Sequence, residues 1–218
     1  MASRVPSAKS SLIVPIRSLG NAHRPRIAEH LLALDEEDRY LRFGFPATDE
    51  HIARYVDQLD FDRDEVFGIF NRKLELIAMA HLAFLLEPAG PAGAEFAVSV
   101  LKKARGRGYG SRLFDRAVMH ARNEGVELMF IHALSENFAM LSIARKAGAI
   151  LERAGGETEA YLRLPPATLD SRVTALVEEQ LAQTDYRLKR QARSFLDFLA
   201  GVQEVRRGAA EARGKSGQ

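Results

Sequence analysis

The sequence predicts a mixed α/β fold, and three observations carry that prediction. Apolar residues recur at helical spacing in some windows and as short continuous runs in others, so both element types are present. The run Glu95 to Leu101 passes through a glycine-rich basic turn into an amphipathic helix and then another apolar run, a βαβ crossover. With 218 residues and 46% hydrophobic content, the chain has material for one full-sized core and an appendage.

Taken in order, residues 1–10 are small and polar, an expected disordered start. Leu12 to Ile16 reads as a first strand, with Pro15 favouring an edge. Ile27, Leu31 and Leu34 form a helical stripe over Arg24 to Leu34, and no element is assigned to the acidic-to-aromatic segment Asp35 to Pro46. Thr48 caps a further helix carrying Ile52, Tyr55, Val56 and Leu59. Val66 to Phe70 and Leu74 to Leu86 are strands joined by Asn71-Arg72-Lys73. Glu95 to Leu101 is the next strand, followed by a helix from Ser111 to Asn123 that Gly125 ends. Strand Leu128 to Ala133, helix Asn137 to Lys146 and the strand pair Ile150–Arg153 and Ala160–Leu164 complete the domain before Pro165-Pro166. From Thr168 an apolar stripe runs through Leu176, Leu188, Phe195 and Val202, a long helical extension. The expected divisions are 1–10 as a disordered start, 11–166 as the main domain, 167–204 as the helical extension and 205–218 as a disordered basic tail.

Composition narrows the function. A net charge of +2 and a pI near 9.0 suit an anionic ligand but fall short of a nucleic-acid binder. With no cysteine there is no disulfide framework, thiolate metal site or cysteine nucleophile. The six histidines show no ligand-like clustering, so no metal is expected. No apolar run approaches the roughly 20 residues that cross a bilayer, and the start lacks a signal-peptide core; a cytoplasmic protein is expected.

Chemistry concentrates in Glu95 to Ser111, reading EFAVSVLKKARGRGYGS. Unpaired N–H groups at a helix start, with the positive end of its dipole, make an anion site. Glycines let that backbone approach a phosphate closely, and Lys102, Lys103, Arg105 and Arg107 add positive charge.

These residues match a known pattern. Arg105-Gly106-Arg107-Gly108-Tyr109-Gly110 resembles the Q/R-x-x-G-x-G/A signature of the GNAT superfamily of acyl-CoA N-acyltransferases. The element order from about Leu12 to Leu164 is similar too, as is the late helix in which Asn137 opens a run ending at Gly148. Glu37 to Phe43 resembles the bacterial branch that includes protein-lysine acetyltransferase domains. The resemblance implies a strongly twisted mixed sheet flanked by helices. It implies that Val98, Ser99 and Val100 pair with the pantetheine arm like an added strand. The N–H groups of Arg105, Gly106, Arg107, Gly108, Tyr109, Gly110 and Ser111 would cradle the pyrophosphate, and Asn137 would bond the pantetheine region. A bend in the strand would leave an N–H near Val98 free to polarise the thioester carbonyl.

Acyl transfer to an amine needs a base, because a primary amine with a pKa near ~10.4 is protonated at neutral pH. Glu95 fits that role, since its Ala-Glu-Phe-Ala context resembles the family's base position; a solvated carboxylate at a strand start is the plain alternative. Ala144 stands where many members carry a tyrosine that protonates the departing thiolate, leaving water, Tyr161 or Ser142 as donors. The resemblance points Arg39, Tyr40 and Arg42 at the acceptor channel. Read without it, Tyr40 is a core anchor like Phe43, and the arginines pair with Glu36 or Glu37.

The expected activity is transfer of an acetyl group from acetyl-CoA to a primary amine, on a small molecule or a protein lysine, by direct attack in a ternary complex. A sensor that binds acyl-CoA with little catalysis is the alternative, motivated by Ala144. The extension is a candidate homodimer contact.

Overall fold

Short apolar segments assemble here into one seven-stranded sheet. The computed structural model describes residues 14–85, 92–154 and 156–167, with Val177 and Ala182. The expected disordered start 1–10, the tail 205–218 and, apart from residues 167, 177 and 182, the extension with its dimer contact lie outside the described residues.

The elements are β1 (Arg17–Leu19), α1 (Arg24–Leu32), α2 (Glu36–Phe43), α3 (Asp49–Asp57), β2 (Glu65–Phe70), β3 (Leu76–Leu85) and β4 (Gly93–Val100). They continue as α4 (Tyr109–Asn123), β5 (Leu128–Leu134), α5 (Phe138–Lys146), β6 (Ile150–Ala154) and β7 (Glu157–Arg163). The strand order is β1-β2-β3-β4-β5-β7-β6, with β4 and β5 the parallel pair and their neighbours antiparallel. The mixed α/β expectation therefore holds.

Several boundaries shift by a few residues from the sequence reading, and two differences are larger. The first strand lies later, at Arg17–Leu19, where it pairs with Val66–Gly68 at the sheet edge; Pro15, lacking an N–H, falls before it. The unassigned segment after Asp35 is a helix, α2. Asp35 caps it by accepting from the Asp38 N–H, three acids occupy its first turn, and Gly44 closes it at φ 79°.

Alternation along β4 sends neighbouring side chains to opposite faces. Phe96 meets Phe114 of α4 edge to face, with ring centroids 5.1 Å apart and both side chains buried. Burial of each stabilises the fold by about 1.5–3 kcal/mol. Ser99 faces the other way, toward His30 of α1. Helix α4 thus seals one face, while α1 packs on β3 and α2 lies across β4 and β5 on the other. After β7, the Arg122 guanidinium donates to the carbonyls of Pro165 and Pro166, each at 3.0 Å, tying this segment to α4.

Candidate acyl-CoA site

The site begins where the sheet parts. β4 and β5 are in register only at Gly93 with Leu128, Ala94 with Met129 and Glu95 with Phe130. From Phe96 to Val100 no strand among the described residues pairs with that side of β4, so its main-chain N–H and C=O groups face a gap. The register with β3 is unbroken along β4, and the irregularity in this half of the sheet sits between Ile69 and Phe70. The free edge thus accompanies the departure of β5, with no register shift between β3 and β4 near Val98.

At the end of β4 the chain makes a short 3-10 turn, Lys102–Ala104, and enters the glycine loop. Gly106 and Gly108 adopt φ of 76° and 74°, a left-handed conformation that costs other residues about 1–2 kcal/mol. Gly108 is the N-cap of α4 and offers no side-chain cap, so the first N–H groups of this helix stay directed at the loop. Gap and loop together form a cavity of about 340 Å³. Every residue expected to bind the cofactor lines it except Arg107, which is exposed. Glu95 does not line it; it stands half-buried at the closed end of the gap.

The basic cluster is largely neutralised. Lys102 pairs with Asp35, Lys103 with Glu75 at 2.9 Å, and Arg105 with the buried Asp38. The Asp35 carboxyl is held below its usual range mainly by the hydrogen bond from Lys102. Among the described residues Arg107 has no ion-pair partner. Asn137 also has structural work: its Oδ1 accepts from the Met140 N–H at 3.1 Å, capping α5, and its Nδ2 reaches the Leu41 carbonyl at 3.4 Å.

Neither proposed proton donor lines the cavity. The Tyr161 hydroxyl donates to Glu152 at 2.6 Å, and that bond pushes its pKa up to about 12. Ala144 is fully buried in the core. Tyr109 is the tyrosine that lines the cavity.

One cluster was not foreseen. Arg42 Nη2 donates to the Tyr55 hydroxyl at 2.8 Å, Tyr55 bonds His81 Nδ1 at 2.8 Å, and His81 Nε2 bonds Asp64 at 3.1 Å. Asp64 can only accept, so Nε2 carries the ring proton and Nδ1 accepts from Tyr55. Burial first, then the Arg42 charge, holds His81 below its ordinary pKa, against opposing effects of Asp64 and Glu95. Burial disfavours the Asp64 carboxylate, but bonds from Arg63 and His81 outweigh it, so its pKa is lowered. Of the neighbouring α2 residues, Arg39 ties Asp49 and the carbonyls of Leu32, Leu34 and Ala47, not Glu36 or Glu37. Tyr40 is 36% exposed and is no core anchor, whereas Phe43 packs on the core. Among the described residues no group of three or more acidic or histidine side chains is placed to hold a metal, and no helix is long and apolar enough to cross a membrane.

Known proteins share this architecture. The GNAT domain of S. lividans PAT superposes with a TM-score of 0.58 at 22% identity, covering 68% of this chain and 89% of that one. Spermidine N-acetyltransferase from Vibrio cholerae, solved with CoA and spermine, gives 0.54 at 15% identity, covering 68% and 94%. Such identities establish a common fold. A family model described as Acetyltransferase (GNAT) family matches residues 29–149, more than half of the sequence, and takes in the parted strands, the glycine loop and the Asn137 helix. The chain belongs to the GNAT acetyltransferase family and is an acyltransferase.

Proposed function

We propose that the protein transfers the acetyl group of acetyl-CoA to a primary amine by direct attack in a ternary complex, and that residues 11–166 form the catalytic unit. The observation that carries this reading is the parting of β4 and β5 after Glu95. It leaves roughly 16 Å of unpaired strand edge, from Glu95 to Val100, leading into a loop of helix-start N–H groups. An extended arm ending in a pyrophosphate has matching chemistry, with amide groups for the edge and negative charge for the loop.

In this reading Val98, Ser99 and Val100 hold the pantetheine arm, and the backbone from Arg105 to Ser111 holds the phosphates. The bound thioester supplies the activated acetyl carbonyl. Glu95 takes a proton from the incoming ammonium, directly or through a water, so that the amine nitrogen presents a lone pair. The departing thiolate receives its proton from water or Tyr109, because Tyr161 is held by Glu152. The alternative of a sensor without catalysis rests on Ala144 alone, and membership of an acyltransferase family weighs against it.

The test is thiol release from acetyl-CoA across a panel of amines and lysine peptides. Turnover with at least one acceptor is expected. Glu95→Gln should lower kcat by about 10²–10⁴-fold while the rise in Tm with acetyl-CoA is retained. Gly108→Glu should abolish that rise, since it sets bulk and negative charge against the pyrophosphate. Unchanged turnover in Glu95→Gln would remove Glu95 from its role.

A further inference from the structure

Three charged side chains line the cavity: Asp38, Arg42 and Arg105. Asp38 and Arg105 pair with each other, so the uncompensated charge is that of Arg42. No acid pairs with Arg42 among the described residues, and its Nε is buried without a hydrogen-bond partner. Among the described residues its one hydrogen-bond partner is Tyr55, and the direction of the Tyr55–His81–Asp64 chain uses the phenol proton on His81, leaving the Tyr55 oxygen as an acceptor. The guanidinium carbon lies 5.1 Å from the Phe43 ring centre and 5.4 Å from that of Tyr55, so the group is held in place before any ligand arrives. A buried donor left without an acceptor is unfavourable, and a ligand that supplies the acceptor would account for it.

Position decides which ligand. Asp38, one turn earlier on α2, meets Arg105 at the phosphate loop. Arg42 is about 6 Å further along the helix, and its partner Tyr55 reaches His81, which sits directly across from Ala97 in the sheet. In the acyl-CoA reading that is the reacting end, away from the glycine loop that would hold the pyrophosphate.

Resting on the reading of this cavity as an acyl-CoA site, we infer that Arg42 binds a carboxylate carried by one of the substrates close to the reacting centre. The carboxylate would accept from the guanidinium in the manner of an arginine–carboxylate pair. It has two sources: an acceptor whose amine lies near a carboxylate, as in an amino acid, or an acyl group ending in one, as in a dicarboxylic acyl-CoA.

The experiment uses the full chain and compares matched substrates. One arm sets amino acids against the corresponding decarboxylated amines with acetyl-CoA. The other sets succinyl-CoA against acetyl-CoA with one plain amine, reading both thiol release and the Tm rise. In one arm, kcat/KM for the carboxylate-bearing member should exceed its partner by at least about tenfold. Arg42→Gln should bring that ratio to about one, mainly through KM, with the acetyl-CoA Tm rise kept, and Arg42→Lys should restore part of it. If Arg42→Gln fails to fold, Tyr55→Phe, which removes the acceptor orienting the guanidinium, should lower the same ratio. A ratio near one in both arms for the wild type overturns the inference. So does an equal fall in kcat for both members of each pair, which would assign Arg42 to the carbonyl. Absence of any Tm rise with acetyl-CoA refutes the acyl-CoA reading itself, and this inference with it.

Discussion

His30 shows how one buried side chain can govern both stability and the site. It is 2% exposed; its Nδ1 donates to the Leu76 carbonyl and its Nε2 accepts the Ser99 hydroxyl proton, each at 2.8 Å. Burial, only partly offset by the Leu76 bond, lowers its pKa from 6.5 to about 4. Between those values the unfolded chain carries a proton on this ring and the native protein does not. Stability therefore falls as pH drops from 6.5 toward 4, by about 3 kcal/mol in all, and this residue has no effect above that window. Urea unfolding across pH 4–7 should show the slope, and His30→Gln should reduce it, leaving the part that His81, also held below its ordinary pKa, contributes; an identical slope in the variant would assign it elsewhere. Protonation would also turn Nε2 from acceptor to donor, so Ser99, which lines the cavity, would lose the partner of its hydroxyl.

At the scale of elements, α2 matters most. It presses Asp38 against the glycine loop and Arg42 over the gap between the strands. Arg105→Ala leaves the buried Asp38 carboxylate without its cation and should destabilise the protein by about 1–3 kcal/mol in chemical denaturation. Adding Asp38→Asn should recover part of that loss, and strictly additive effects would show that the two residues do not act together. The cap and first-turn acids that start α2, and the glycine that ends it, were all present in the sequence. Its mixture of charges and aromatics lacks the buried apolar stripe that identifies a helix, for the residue it buries is Asp38. Gly106 and Gly108 were legible because they act on their own backbone. The chain from Arg42 through Tyr55 and His81 to Asp64 was not, since it joins residues 13, 26 and 17 positions apart. Neutralisation of the basic cluster was equally hidden. Lys103 finds Glu75 28 positions away, across the strands that precede it.

At the scale of the whole molecule, the order of elements read from the sequence matches the fold apart from α2 and the placement of β1. The segment after β7 is held to the rest of the fold. Leu164 is buried and donates its N–H to the Glu127 carbonyl, and Arg122 spends two donors on Pro165 and Pro166. A chain ending after residue 167 should keep its cooperative unfolding and its acetyl-CoA response. One ending after residue 163 should lose about 1–3 kcal/mol or more, because it removes a core leucine and strands a guanidinium. Loss of cooperative unfolding in the longer version would place the boundary further on.

The three-residue seam between β4 and β5 has a consequence for the protein before it meets any ligand. Seven strands are drawn as one sheet, yet mechanically they are two plates stapled at one end, with helices bracing the rest. The open lip of β4 is an unfinished hydrogen-bond ladder, the kind of surface on which a stray strand from another molecule can settle. Whatever fills the lip completes the sheet and shields it in the same act. A ligand held in this way would serve as a removable structural member as well as a reactant.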